Sequence, residues 1–176
     1  MKMKVFGWLI VGCLLYVCPS AMGQTVFSSD IIGSNVTDPP QGGILATPQA
    51  PWTVTSASVS IQANGKWKSV IKGLVVPTIG TAAVTQIAEA LVCGGTIVAS
   101  TPSVALDTSG NAKIKATVTG VPSRCVAPTV FVFVTEFMGL PFGLTSNPQT
   151  QYIAVSGFST AAAAESHNPL DDMGKK

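Results

Sequence analysis

From Ser56 to Ile61, apolar and hydroxyl side chains alternate without a break: Ala57, Val59 and Ile61 to one side, Ser56, Ser58 and Ser60 to the other. A period of two is the signature of a half-buried strand. Val54 is out of phase with this set, which predicts a bulge or an edge position. Asn64-Gly65 then supplies the residues of a two-residue type I′ turn. Beyond it Lys66, Lys68 and Lys72 share one face while Trp67 and Ile71 share the other. The pattern predicts a hairpin with Trp67 in the core and the lysines in solvent.

Further along, Gly94-Gly95 between Leu91-Val92-Cys93 and Thr96-Ile97-Val98 reads as a second tight hairpin. After Thr101-Pro102, Ser103 to Leu106 and the turn residues Asp107 to Asn111 lead into a strand. There Ile114, Ala116 and Val118 face inward, and Lys113, Lys115 and Thr117 face out. Thr129 to Val134 is apolar on both faces, as expected of a strand in the middle of a packed sheet. Tyr152 to Phe158 predicts a last strand. Over 78–90 two patterns compete. Val84, Ile87, Ala88 and Leu91 fit helical spacing with Thr81 as a cap, whereas the Gly-Gly hairpin favours strand from about Ile87.

Roughly seven or eight short strands, with turn signals about every 8–12 residues, predict an all-β fold. An antiparallel β-sandwich of Ig-like architecture is the first expectation, and a Greek-key barrel the alternative. No tryptophan lies between the cysteines, so antibody-type hallmarks are missing. The chain divides into 1–23, a signal peptide; 24–51, an extended N-terminal arm with a short strand at Thr25-Val26-Phe27; 52–158, the β-sandwich domain; and 159–176, a disordered C-terminal tail.

The signal peptide reading changes the charge balance. Lys2 and Lys4 form a basic n-region, Val5 to Val17 an apolar h-region, and Ala21-Met22-Gly23 offers small residues at the positions a signal peptidase requires. The apolar run is short for a permanent membrane span, and no later stretch reaches that length. Of ten Lys and Arg, cleavage before Gln24 removes two, leaving eight against eight Asp and Glu. Zero net charge argues against nucleic acid or anionic lipid as a partner. A secreted or periplasmic location follows. Ile10-Val11-Gly12-Cys13 resembles a lipobox, so lipid anchoring at Cys13 is the minority expectation. The Lys-rich, short leader favours a bacterial source.

Cys93 and Cys125 then remain as an even pair in an oxidising compartment, where a disulfide is the first expectation. Closing a loop of 32 residues contributes roughly 3.5–4 kcal/mol in the chain-entropy account. A metal or thiol site lacks partners, because the single histidine, His167, sits in the polar tail.

Catalytic patterns are sparse. Glycoside hydrolysis needs two carboxylates across a cleft, and only Glu89 and Glu136 lie near strands. Asp107-Thr108-Ser109-Gly110 carries an intervening serine relative to the aspartic-protease triplet and reads as a turn. No Gly-x-Ser-x-Gly, calcium loop or phosphate loop is present. Asn35-Val36-Thr37 is a sequon of the kind common by chance. The expectation is a non-catalytic module without cofactor or metal, in a structural or protein-interaction role toward an envelope component or other protein. The alternative is a ligand-binding module for a glycan or apolar molecule. Its candidate surface is Trp52 together with the apolar loop residues Phe137, Met138, Leu140, Phe142 and Leu144.

Overall fold

In the computed structural model, which describes residues 23–38, 45–46, 51–141 and 151–157, every regular element is a strand. They are β1 (Thr25–Gly33), β2 (Leu45–Ala46), β3 (Ser56–Gln62), β4 (Lys66–Lys72), β5 (Val84–Cys93), β6 (Thr96–Ser100), β7 (Val104–Ala105), β8 (Ala112–Thr117), β9 (Thr129–Phe137), β10 (Leu140–Pro141) and β11 (Gln151–Ser156). The main path runs β6-β5-β9-β11-β1-β3-β4-β8, with β7, β10 and β2 appended to β5, β9 and β11. All pairings are antiparallel except the short β2–β11 contact. The whole is an antiparallel sheet curled into a half-barrel. Among the described residues no helix is long and apolar enough to cross a membrane. The expected signal peptide, apart from Gly23, and the C-terminal tail lie outside the described residues.

One strand joins two unlike regions. The first part of β1, Thr25 to Asp30, pairs with β3. Its last residues, Ile31 to Gly33, pair with β11. This corrects the expected arm: the short strand at Thr25-Val26-Phe27 continues to Gly33 and sits in the middle of the sheet order. Gly33 allows the crossing, because a Cβ there would come within 2.0 Å of the Trp52 carbonyl oxygen. Just beyond, the Trp52 N–H donates to the Ser34 carbonyl at 2.9 Å.

The β3–β4 hairpin forms with the expected faces: Val59, Ile61, Trp67 and Ile71 are buried and the lysines exposed. Its loop differs from the two-residue I′ turn. Ile61 pairs with Trp67, and the Gly65 N–H donates to the Gln62 carbonyl at 2.9 Å. Only Gly65 takes positive φ, at 81°, so Ala63-Asn64-Gly65 is a three-residue loop of the type I plus bulge kind. The Asn64 side-chain oxygen accepts from the Lys66 N–H at 3.1 Å, and Gly65 packs so closely on Val118 that a Cβ would clash with its carbonyl. The two-residue geometry occurs instead at Gly94-Gly95, with φ of 56° and 85°.

Strand β5 resolves the competition over 78–90. Residues 84–93 are strand, and 78–83 are turn apart from Gly80, which bridges to Val76. Two register shifts, between Val84 and Gln86 and between Gln86 and Ile87, break the alternation, so inward residues fall three apart and imitate a helix. Beyond them both faces of β5 are buried. Ile87 and Leu91 join the main core, while Ala88 and Ala90 pack with Phe133 on the other side. β9 lies between β5 and β11 and buries both faces, as its composition implies. Each fully buried Ile or Phe contributes on the order of 1.5–3 kcal/mol.

Candidate functional site

Two features stand apart from the apolar core, and both arise on β4. Its even-numbered residues Lys66, Lys68, Val70 and Lys72 are exposed, and its odd ones Trp67, Ser69 and Ile71 are buried. β8 continues the outer face. Lys68 lies directly across from Lys115, and Val70 across from Lys113. On the other side β3 sets Ser60 opposite Lys68, Ser58 opposite Val70 and Ser56 opposite Lys72. The result is a polar sheet face of five lysines and three serines.

The inner face of β4 holds the second feature. Glu89 on β5 is fully buried, 0% exposed. The Trp67 Nε1–H donates to its Oε2 at 2.5 Å and the Ser69 hydroxyl to its Oε1 at 2.7 Å. Its backbone is held as well: the Glu89 N–H donates to the Thr101 hydroxyl at 3.0 Å, and the Thr101 N–H to the Glu89 carbonyl at 2.9 Å. Burial pushes the carboxyl up to about 7, against the opposing effect of the hydrogen bonds from Ser69 and Trp67. A polar clamp thus links β4 and β5, which lie far apart in strand order.

Glu136 and Asp107 are held by local hydrogen bonds. Glu136 accepts from the Thr85 hydroxyl at 2.8 Å and the Gln86 side-chain amide at 2.6 Å. It pairs with Gln86, whereas Glu89 pairs with Val132. Their partner positions Val132 and Glu136 lie four residues, roughly 13 Å, apart along β9. Asp107 closes its own turn, accepting from the backbone N–H groups of Asn111 and Ser109 at 2.8 and 2.9 Å. The Asn111 backbone contact is the main cause that holds its carboxyl below the usual range.

The residues singled out from the sequence separate. Cys93 and Cys125 form a disulfide with a Cα–Cα distance of 5.2 Å, tying the end of β5 to the segment leading into β9. Trp52 is 3% exposed and packs in the main core. Its indole N–H has no partner among the described residues, and its ring is not surface, which corrects its place in the candidate binding surface. Phe137 ends β9, half-buried against the core. Met138 and Leu140 are 70% and 66% exposed on a two-residue hairpin in which Phe137 pairs with Leu140. Strand β9 therefore runs into the stretch expected to be loop. Phe142 and Leu144 lie outside the described residues.

The Glu89 clamp is not legible from the sequence of either strand. Its signals are present: one serine between the inward Trp67 and Ile71, and one glutamate in the apolar run from Ile87 to Val92. Nothing in either strand alone says that the two polar residues face each other. No protein-family model matches this chain, and no curated protein or solved structure does either.

Proposed function

We propose that this protein is a secreted or periplasmic, non-catalytic β-sandwich module of Ig-like architecture, acting in a structural or protein-interaction role. The observation that carries the reading is the Cys93–Cys125 disulfide in a chain whose first 23 residues have the layout of an export signal. Disulfides persist in oxidising compartments and are rare in reducing ones. Glu89 supports the non-catalytic part. A raised carboxyl would suit a general acid, but this one is enclosed and held by Trp67 and Ser69, which is how a structural group behaves.

The intact mass of the exported protein, with and without reductant, tests the reading. A chain beginning at Gln24 and two hydrogens lighter before reduction supports it. A chain that keeps Met1 and shows no mass change on reduction overturns it, and an acylated chain beginning at Cys13 moves the module to a membrane surface. The second reading, an apolar ligand site, is favoured by the exposure of Met138 and Leu140 at one hairpin tip. It predicts that the double variant Met138→Ser, Leu140→Ser loses binding of an apolar fluorescent probe.

A further inference from the structure

We propose that the outer face of β3, β4 and β8 is a docking surface for a linear acidic polysaccharide, with Lys66, Lys68, Lys72, Lys113 and Lys115 as the contact residues. Among the described residues these are five of six cations, Arg124 being the other, and they converge only when β8 pairs with β4. Neighbouring strands lie about 4.8 Å apart, and alternate residues along a strand about 6.6 Å, so the lysines project from backbone positions of that spacing. Among the described residues none of the five is in an ion pair. Of the acids, Asp30 lies on β1, reached from Lys113 only across Val70 and Ser58. Asp107 is engaged by its own turn, and Glu89 faces the core.

Folding alone does not call for this arrangement. Lysines on an edge strand discourage sheet-to-sheet aggregation, which accounts for Lys113 and Lys115 on β8. It does not account for Lys66, Lys68 and Lys72 on β4, which is flanked on both sides. Lys68 directly opposite Lys115 is a like-charge pair, which destabilises a sheet. An anionic partner relieves that repulsion.

The composition of the face selects the kind of anion. It carries no aromatic ring, so nucleobases find nothing to stack on. Its one exposed apolar side chain is Val70, too little to enter a lipid layer. The serines of β3 present hydroxyls beside the cations, suited to sugar hydroxyls next to carboxylates. The choice of a polysaccharide also rests on the extracytoplasmic reading.

The experiment measures binding of the purified, disulfide-intact chain to alginate oligosaccharides by calorimetry at low and at physiological salt. Dextran, duplex DNA and phosphatidylglycerol vesicles are the comparison probes. The expected result is alginate binding that weakens as salt rises, with dextran inert and DNA and vesicles weaker than alginate. The variant Lys68→Ser, Lys113→Ser, Lys115→Ser is expected to bind alginate about tenfold more weakly or worse, and Arg124→Ser to bind as the parent does. No alginate binding, equal binding by the triple variant, or preference for DNA or vesicles overturns the proposal. Because export is read by mass and this by binding, each can fail without the other.

Discussion

The two regions joined by β1 solve the same problem in opposite ways. β3, β4 and β8 bury one face and wet the other, and every outward position is a serine, lysine or threonine, apart from Gln62 and Val70. β5, β9 and β11 bury both faces: Ile87, Leu91, Val130 and Val132 toward the main core, Ala88, Ala90, Phe131, Phe133 and Tyr152 on the far side. The disulfide anchors the second region and the lysines mark the first. Both regions thus contribute a buried face to the core, and the wet face of the first is the surface free for a partner.

The sharpest way to break this contrast is to substitute one doubly buried position and one position on the wet face. Phe131 is fully buried and packs on Tyr152 with ring centroids 5.0 Å apart. Phe131→Ala is expected to cost about 3–5 kcal/mol in denaturant unfolding, whereas Lys68→Ser is expected to stay within about 0.5 kcal/mol. Equal costs would refute the division. Next in size, the double variant Cys93→Ala, Cys125→Ala is expected to lose roughly 3.5–4 kcal/mol. Hydrogen exchange should show the loss first at the β5–β6 hairpin and the start of β9, with β3 and β4 less affected. Trp67→Phe keeps most of the ring but removes a donor to Glu89, so a loss of about 1–3 kcal/mol is expected. That loss should shrink when Glu89→Gln is already present. Smallest of all, Lys115→Glu places an opposite charge across from Lys68 and is expected to add a few tenths of a kcal/mol. Its midpoint should move up at low salt and not at high salt.

The same contrast explains what could be read from the chain. In the half-wet region each residue's identity reports its side, so Ala57 to Ile61 and Lys66 to Lys72 reveal strand, turn and orientation together. The exception is local: Asn64-Gly65 fits two loop lengths, and the contact of Gly65 with Val118 from a distant segment decides between them. In the doubly buried region the two sides carry the same kind of residue, so nothing in β5 marks its bulges or its phase. The full length of β1 is hidden in the sequence for a related reason. Ser28, Ser29 and Asp30 look like loop residues, yet they sit where the strand's edge is paired and its side chains are partly wet. The lysines were legible as solvated, but their convergence depends on the β4–β8 register, which no single segment encodes.

The raised carboxyl of Glu89, held by Trp67 and Ser69, clamps the two regions together. Its sign with pH is fixed by the proton count. The unfolded chain releases this proton near 4.5 and the folded one near 7, so between those values the unfolded state binds fewer protons and stability falls as pH rises. The full effect is about 3 kcal/mol. Asp107, whose carboxyl is held low, acts in the opposite sense and only at more acid pH. Unfolding free energy measured from pH 4.5 to 8 for the parent and for Glu89→Gln is thus the most direct test. A decline of that size in the parent that is absent from the variant is the predicted result. A flat parent, or a variant that keeps the decline, would mean that Glu89 is solvated and ionised in the folded protein, and the clamp would be refuted.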